Sequence, residues 1–338
     1  MRTDDFVYEL PEELIAQVPA EPRDAARLMV LDRATQGIEH RVVRELPELL
    51  RPGDLLVVND TRVMAARLFG RRVETGGMVE VLLVRPFTDT RWEVLMKPAR
   101  RAVEGRRFEF DTHEGVLGAV CAGRMGESVV LEFERVFDPA RVGEVPLPPY
   151  IRGFKGDPER YQTVYSREAR SAAAPTAGLH FTPALLERLE RAGIGRAAIT
   201  LEVGPGTFRP VNVDDPRDFD LHAEHVTVPE EAALAIGRAK AEGRRVVAVG
   251  TTVVRTLEHV ARECGEVVPY AGWTSLKILP GDGFRVVDVL MTNFHLPRST
   301  LLMLVCAFAG REFVLAAYGA AVRERYRFYS FGDAMLIV

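Results

Sequence analysis

The chain has 338 residues, of which 47% are hydrophobic and 27% charged, and its formal net charge is −4. These values are typical of a globular protein with two domains, and they exclude a disordered chain and a membrane-spanning one, because no apolar run approaches the ~20 residues that a bilayer requires. Three widely spaced cysteines predict neither a disulfide framework nor a zinc site, and the acidic N-terminal stretch does not resemble a signal peptide, so we expect a cytoplasmic protein without a metal or a membrane partner.

A strand is predicted at Leu28 to Asp32, and the apolar run from Leu55 to Val58 predicts another, which ends in Asn59, Asp60, Thr61 and Arg62. In an α/β sheet, ligands bind at the carboxyl ends of such strands. Asp60 could therefore bind sugar hydroxyls, and Arg62 a carboxylate or a phosphate. The alternative is a turn closed by the Asn and Asp side chains, which we favour for Asn59.

Six short strand-like segments with turn residues between them follow Arg62. Their rhythm predicts an antiparallel barrel or sandwich with almost no helix. The segments are Arg67–Val73, Met78–Arg85, Arg91–Met96, Arg107–Asp111, Gly115–Ala122 and Ser128–Phe133.

This barrel region is basic although the whole chain is acidic. From Arg62 to Arg107 the sequence carries eleven Lys and Arg residues against five Asp and Glu residues. Clustered arginines around the loops of a small barrel are typical of RNA-backbone binding, whereas a charge run alone often marks only a solvated face. The arginines that we expect to contact RNA are Arg71, Arg100, Arg101 and Arg107.

A run of small residues, Ala172 to Thr182, predicts a loop that lies against a ligand. Thr176 and Gly178 leave backbone amides accessible, and His180 is the one side chain in the run that titrates near neutral pH. Thr182 and the proline after it are typical of a helix start. The alternative interpretation is a tight connection that happens to contain a histidine.

Two further segments after this helix carry polar groups. The loop from Gly204 to Phe208 could clamp a base or simply turn. His222 and Glu224 alternate, so on an extended chain they would face the same side. We interpret them as a proton-transfer pair or a polar clamp for the substrate, because no third metal ligand lies nearby; a surface pair is the alternative.

The segment from Arg245 to His259 predicts a buried parallel strand, a turn at Gly250 and a helix that begins at Thr251. Helix N-termini bind anions through free amides and a partial positive charge. Thr251 and Thr252 add hydroxyl donors, and Arg255 lies one turn further on. A carboxylate would fit here, and a ligand-free helix cap is the alternative.

Near the C-terminus a strand from Asp288 to Met291 ends in a segment that contains Asn293 and His295. A helix follows from Thr300 to Ala309, with Ser299 as its cap. A lone histidine beside aromatic residues is often a core residue, but His180 occupies a similar loop, and we therefore expect the two histidines to share one site.

The combined pattern predicts an α/β fold with a mixed or parallel sheet formed by both chain ends, and an antiparallel β-barrel inserted between them. The expected boundaries are residues 1–62 and 150–338 for the α/β domain, which we expect to be catalytic, and residues 63–149 for the barrel.

Several long motifs in this order resemble the S-adenosylmethionine:tRNA ribosyltransferase-isomerases of queuosine biosynthesis. The resemblance runs over almost the whole chain, from Tyr8 to Met335. The motifs that carry it are Asn59–Val63, Pro148–Ile151, Tyr161–Tyr165, Ala172–Thr182, Val249–Thr252 and Thr292–Pro297.

The resemblance implies that S-adenosylmethionine is consumed as a ribosyl donor and that no other cofactor is needed. Its ribose would pass to 7-aminomethyl-7-deazaguanine at the wobble position of tRNA and isomerise to the epoxycyclopentanediol of epoxyqueuosine, while adenine and methionine leave. Such a reaction needs a base beside the sulfonium, an acid for the departing adenine and a clamp for the methionine carboxylate.

On this basis His180 and His295 are the candidates for the proton transfers. The residues expected to hold S-adenosylmethionine are Asp60, Arg62, Thr176, Gly178, Thr251, Thr252 and Arg255, and those expected to hold the tRNA substrate are His222, Glu224, Asn293 and the four barrel arginines. The chain departs from the family pattern at Met78, Arg170, Glu202 and Lys277. Two other classes fit the composition: a non-catalytic tRNA-binding protein, and a methyltransferase that uses S-adenosylmethionine.

Overall fold

The computed structural model describes residues 1–126, 128–204 and 211–338. These residues divide into two compact units. The larger unit comprises Met1–Arg62, Pro149–Glu168 and Ala174–Val338, and the smaller unit comprises Val63–Pro148 and Ala169–Ala173. The sequence had not indicated that the short segment 169–173 belongs with the smaller unit.

The strands that the structure describes are β1 (Arg27–Asp32), β2 (Gly37–Val42), β3 (Leu55–Asn59), β4 (Arg62–Val63), β5 (Arg67–Arg72), β6 (Met78–Pro86), β7 (Arg91–Lys97), β8 (Arg107–Thr112), β9 (Gly115–Met125), β10 (Ser128–Phe133), β11 (Ala169–Ser171), β12 (Gly195–Leu201), β13 (Glu224–Val228), β14 (Val246–Val249), β15 (Tyr270–Thr274), β16 (Val289–Asn293) and β17 (Ala334–Ile337). The α-helices are α1 (Leu46–Leu49), α2 (Pro139–Val142), α3 (Pro183–Arg191), α4 (Glu230–Ala241), α5 (Thr251–Cys264), α6 (Thr300–Ala309) and α7 (Arg311–Arg323). Short 3₁₀ helices span Thr3–Phe6, Glu12–Leu14, Arg23–Ala25, Val43–Glu45, Ala99–Arg101, Pro158–Tyr161, Thr176–His180 and Pro216–Asp218.

The larger unit is built on a mixed sheet, which has nine strands within the described ranges, in the order β15-β13-β12-β3-β14-β16-β17-β1-β2. Its centre is parallel, since β12, β3, β14 and β16 run in the same direction. Antiparallel pairing begins at β13 on one side and at β17 on the other. The predicted α/β class with a mixed sheet from both chain ends is confirmed.

The central strands β3, β14 and β16 are buried along their whole length because both of their faces are covered. Every residue of β3, β14 and β16 is buried. Leu56 and Val58 share one core cluster with Val247 and Val249, and Phe181, Leu185 and Leu189 of the α3 region complete it. The four parallel strands therefore end together at one edge of a rigid sheet.

The smaller unit contains a closed barrel with strand order β10-β7-β6-β5-β8-β9. Buried residues alternate with partly buried ones along β6 and β7, as they must when one face of a strand lines a core. Gly70 lies where two strands come close, because a Cβ there would be 2.3 Å from the carbonyl oxygen of Glu109. The predicted antiparallel barrel is confirmed.

Helix α6 is mostly buried, as expected for a core helix, whereas α7 buries the face that carries Phe313, Val314, Ala317, Tyr318 and Ala321. In the part of the chain that the structure describes, no single helix is long and apolar enough to cross a membrane. Only α6 and α7 taken together would reach that length and composition, and they meet at 115°.

Candidate active site

A cleft in the larger unit opens where the parallel strands end. Its empty volume is about 670 Å³, counting the solvent space at its mouth. Six chain segments supply its walls. The lining residues are Tyr150, Ala174–Ala177, Val203, Gly250–Thr252, Thr292–Leu296, Ser299, Leu301, Tyr329 and Ser330. The predicted site residues among them are Thr176, Thr251, Thr252, Asn293 and His295.

The start of helix α5 forms one wall. Gly250 has φ +93°, a conformation that side chains other than glycine rarely adopt, and it turns the chain from β14 into the helix. Thr251 and Thr252 follow at once and are 6% and 7% exposed. Asn59 at the end of β3 donates from Nδ2 to the Thr252 hydroxyl oxygen at 3.3 Å, so the Thr252 proton remains available to an acceptor in the cleft.

Asn59 also closes its own turn, as the sequence suggested. Its Oδ1 accepts from the backbone N–H of Thr61 at 3.1 Å and from that of Leu201 at 3.1 Å. This side chain therefore ties the ends of β3 and β12 together beside the cleft.

Asn293, at the end of β16, connects the cleft to His180. Its Oδ1 accepts from the Thr176 hydroxyl at 3.0 Å. Its Nδ2 donates to the Tyr329 carbonyl oxygen at 3.1 Å and lies 3.1 Å from Nε2 of His180. Nε2 of His180 is then an acceptor, which leaves the ring proton on Nδ1.

His180 is 4% exposed and is not among the residues that line the cleft. Burial lowers its pKa to about 3, and the positive charges of Arg327 and Arg23 act in the same direction. The ring is thus neutral at physiological pH. The structure brings His180 to the site through Asn293.

His295 lines the cleft directly. Thr292 Oγ1 lies 2.9 Å from its Nε2, and its backbone is held at both ends, because its N–H donates to the Tyr318 hydroxyl at 3.0 Å and its carbonyl oxygen accepts from the Tyr8 hydroxyl at 2.5 Å. Burial lowers the pKa of His295 to about 3 as well. A neutral imidazole with one nitrogen oriented by a hydroxyl is a suitable group for moving a proton.

These lowered pKa values predict a pH dependence of stability that can be measured. Because the unfolded chain binds a proton at each histidine near pH 6.5 and the folded chain does not until about pH 3, the free energy of unfolding falls as the pH is lowered below 6.5. Each histidine contributes about 1.4 kcal/mol per pH unit.

We expect the free energy of unfolding, measured with urea at several pH values between 7 and 4.5, to depend less steeply on pH in His180→Gln than in the unchanged protein. His113→Gln is the matched control, since His113 is exposed in the smaller unit and its replacement should leave the slope as it was. An unchanged slope in His180→Gln would contradict the neutral, buried imidazole.

Arg255 lies beneath the cleft and is only 4% exposed. It forms an ion pair with the buried Glu224, and its Nε donates to the Leu276 carbonyl oxygen at 2.9 Å. The other oxygen of Glu224 accepts from the N–H of Gly204 at 2.9 Å. Arg255 is therefore engaged by β13 and does not line the cleft.

Two more expected ligand-binding residues also lie outside the cleft lining. Asp60 accepts from the Thr200 hydroxyl at 2.6 Å, and Arg167 is 3.4 Å from its other oxygen. Arg62 forms an ion pair with Glu159 and donates to the Ser166 hydroxyl at 3.1 Å.

Gly178 and His222 also lie away from the cleft lining. A Cβ at Gly178 would be 2.2 Å from the Tyr165 hydroxyl oxygen, so tight packing accounts for the glycine. His222 is exposed while Glu224 is buried, and strand β13 begins only at Glu224. The two residues therefore differ in environment. Residues 205–208 of the predicted Gly204–Phe208 loop lie outside the described residues.

The barrel arginines are exposed in the smaller unit. Arg71 pairs with Glu109 at 3.0 Å, and Arg107 with Glu74 at 4.0 Å. Arg100 and Arg101 lie on the 3₁₀ turn after β7, and within the described ranges neither has an acidic partner. These two guanidinium groups are therefore available to an anionic partner.

The site residues predicted from the sequence did not include Tyr150, Tyr329 or Ser330, which all line the cleft. Tyr150 and Ser330 are joined by a hydrogen bond of 2.5 Å between their hydroxyls, although 180 positions separate them. Tyr150 lies in one of the family motifs, which was the available signal. Among the described residues, no group of three or more His, Cys, Asp or Glu side chains is placed to hold a metal ion.

Comparisons with known proteins agree with the motifs. The family model described as "Queuosine biosynthesis protein" matches residues 3–337. The S-adenosylmethionine:tRNA ribosyltransferase-isomerases of Symbiobacterium thermophilum and Moorella thermoacetica are 55% and 54% identical to this chain, with complete coverage of both proteins in each case.

A solved structure supports the same assignment. The crystal structure of the S-adenosylmethionine tRNA ribosyltransferase from Thermotoga maritima is 43% identical and has a TM-score of 0.58, covering 99% of this chain and 100% of that one. The resemblance inferred from the motifs is thereby confirmed. This chain belongs to the queuosine biosynthesis protein family, together with the S-adenosylmethionine:tRNA ribosyltransferase-isomerases.

Proposed function

We propose that this chain is an S-adenosylmethionine:tRNA ribosyltransferase-isomerase and that the cleft at the ends of β3, β14 and β16 is its active site. Its substrates are S-adenosylmethionine, which is consumed, and tRNA that carries 7-aminomethyl-7-deazaguanine at the wobble position. The products are epoxyqueuosine-tRNA, adenine and methionine. The observation that carries this proposal is that one cleft brings together an anion-binding helix start, Asn293 and a neutral histidine.

The methionine carboxylate binds at the start of α5 in this proposal. Free amides at a helix N-terminus favour an anion, and Thr251 and Thr252 offer hydroxyl donors in the cleft wall. Arg255 supports this wall through Glu224 and the Leu276 carbonyl, instead of contacting the carboxylate as the sequence suggested.

His295 moves the protons. When the Nε2–H of His295 donates a hydrogen bond to the Thr292 hydroxyl, Nδ1 keeps a lone pair. This lone pair can accept a proton from the carbon beside the sulfonium. The positive sulfur acidifies that hydrogen. The imidazolium formed in this step can then pass its proton to the departing adenine. One residue can then serve both proton transfers.

His180 acts through Asn293 in this mechanism. The neutral His180 ring accepts from the Asn293 amide and helps to fix its orientation, while the Asn293 carbonyl oxygen is held by Thr176. We assign His180 a positioning role on this geometry. Its direct participation in proton transfer stays a prediction.

The smaller unit binds the tRNA backbone, with Arg71, Arg100, Arg101 and Arg107 at exposed positions. Such contacts are electrostatic and independent of sequence, and the 7-deazaguanine itself is recognised in the cleft. A tRNA substrate places the enzyme in the cytoplasm, and the residues assigned here need no metal and no further cofactor.

The RNA contact predicts a change in salt dependence. Replacing Arg100 and Arg101 by Gln should weaken tRNA binding and reduce the slope of log Kd against log salt concentration by about 0.7 for each lost phosphate contact. Arg191→Gln is the control for the loss of a positive charge, because Arg191 is an exposed residue of α3 in the larger unit. Filter binding across a salt series measures the slope. If the double variant kept the original slope, Arg100 and Arg101 would be solvent-exposed residues that do not contact the RNA.

The reaction is tested by following two labels from S-adenosylmethionine with precursor tRNA. Ribose carbon in the tRNA, with free adenine and methionine in solution, is the result that we expect. Labelled methyl groups in the tRNA would instead identify a methyltransferase, and binding without turnover would identify a tRNA-binding protein. The names of the relatives favour ribosyl transfer over both alternatives.

A further inference from the structure

Two tyrosines from distant parts of the chain form an aromatic wall of the cleft. The ring centroids of Tyr150 and Tyr329 are 4.3 Å apart and their planes meet at 49°. Both residues line the cleft. Burial raises the pKa of both hydroxyls, so both rings stay neutral at physiological pH.

Hydrogen bonds hold the ring hydroxyl of Tyr150 and the backbone of Tyr329 in place. The Tyr150 hydroxyl is hydrogen-bonded to Ser330 Oγ at 2.5 Å. The Tyr329 N–H donates to the Phe294 carbonyl oxygen at 3.2 Å, and the Tyr329 carbonyl oxygen accepts from Asn293 Nδ2 at 3.1 Å and from the Gly332 N–H at 2.9 Å. A fixed ring loses little freedom when a ligand covers it.

The backbone of Tyr329 is in the left-handed region, with φ +71°. Bulky residues rarely adopt this conformation, and where they do the surrounding structure holds them there, commonly at ligand sites. The next turn is equally tight, since a Cβ at Gly332 would lie 2.5 Å from the Arg327 carbonyl oxygen. With this backbone conformation the Tyr329 ring packs against the Tyr150 ring in the cleft.

We propose that Tyr150 and Tyr329 form a stacking wall for a purine-like base. The inference rests on the proposed function, whose two substrates both carry such a base: the adenine of S-adenosylmethionine and the 7-deazaguanine of the tRNA. Aromatic side chains bind the faces of planar bases largely independently of their substituents. The hydroxyls of Thr251 and Thr252 in the cleft are then left for the groups that distinguish the ligands.

The test uses the full chain, isothermal titration and two probes: 5′-methylthioadenosine, which has adenine but no carboxylate, and free 7-aminomethyl-7-deazaguanine. Tyr329→Asn removes the ring while keeping a residue type that tolerates the left-handed conformation. Tyr150→Leu removes the second ring. Tyr329→Phe and Tyr150→Phe keep the rings and are the matched controls.

We expect the ring-deleted variants to weaken one probe about 5- to 150-fold, and the phenylalanine variants to stay within about threefold of the unchanged protein. The probe that loses affinity identifies the base on the wall. Unchanged binding of both probes in the ring-deleted variants would overturn the proposal, as would equal losses in the phenylalanine variants or a failure of both probes to bind the unchanged protein.

The outcome is separable from that of the proposed function. If base binding requires the rings but labelled ribose never reaches tRNA, the stacking wall stands and the reaction is wrong. If ribose is transferred while the ring-deleted variants bind both probes normally, the reaction stands and the wall is wrong. Melting temperatures of all four variants show whether a loss of affinity reflects unfolding.

Discussion

His295→Gln is expected to lower kcat by about 10²- to 10⁴-fold while leaving the KM for S-adenosylmethionine and the affinity for tRNA near their original values. This range is the usual contribution of a positioned acid–base group. His295 lines the cleft, and its ring nitrogen is oriented by Thr292 at 2.9 Å. Single-turnover kinetics with precursor tRNA measure the chemical step directly.

The matched control for this prediction is His259→Gln. His259 is a partly buried histidine of α5 whose Nε2 lies 3.1 Å from the Tyr270 hydroxyl, and it does not line the cleft. The control should keep its kcat. An equal loss in both variants, or a loss in His295→Gln that follows the melting temperature, would contradict a catalytic role.

The pH dependence of kcat/KM and the activity of a double variant give two further tests of the role assigned to His295. With a pKa of about 3 the base form of His295 is already present at pH 5, so kcat/KM should stay flat from pH 8 to pH 5 where an ordinary histidine would lose activity below pH 6.5. If His180, acting through Asn293, works together with His295, the double variant His180→Gln/His295→Gln should be little slower than His295→Gln alone.

Thr252→Val is expected to raise the KM for S-adenosylmethionine about 10- to 100-fold, with tRNA affinity unchanged. A hydrogen bond to a charged group contributes about 1.5–3 kcal/mol, and valine keeps the shape of threonine while removing the donor. Thr256→Val, one turn further along α5, is the control, because the Thr256 hydroxyl donates to the Thr252 carbonyl oxygen and Thr256 does not line the cleft. If Thr252→Val weakened tRNA instead of S-adenosylmethionine, the start of the helix would hold an RNA phosphate.

Local patterns in the sequence predicted much of this fold. The rhythm of short strand-like segments and turn residues from Arg67 to Phe133 was enough to predict the barrel. The strand, glycine and helix around Gly250 were equally clear, because only glycine readily adopts the φ of +93° that this turn requires.

The partners of individual polar side chains could not be read in the same way. Arg255 follows Thr251 by four residues, which places both on one helix face, and the sequence therefore suggested a shared ligand. The fold instead sets β13 beside β12, and the buried carboxylate of Glu224 engages Arg255. Which strand lies next to another is a property of the whole sheet.

The two cleft histidines show the same limit. Their loops resemble each other in sequence, but His295 lies in the cleft wall and His180 one hydrogen bond behind it. The stacking wall is a stronger case, because Tyr150 and Tyr329 are far apart in the sequence and their rings meet only in the folded unit.

The most direct measurement follows S-adenosylmethionine that carries two deuterium atoms on the carbon beside the sulfonium. In an epoxycyclopentanediol that is attached to nitrogen, every ring carbon carries a single hydrogen. The labelled carbon becomes a ring carbon, and it must therefore lose one of its two deuterium atoms. We predict that mass spectrometry will find one deuterium in the modified nucleoside and one in adenine or water, and that His295→Gln will slow both appearances equally. Two deuterium atoms retained in the transferred group, or none transferred to tRNA, would contradict ribosyl transfer and isomerisation in this cleft.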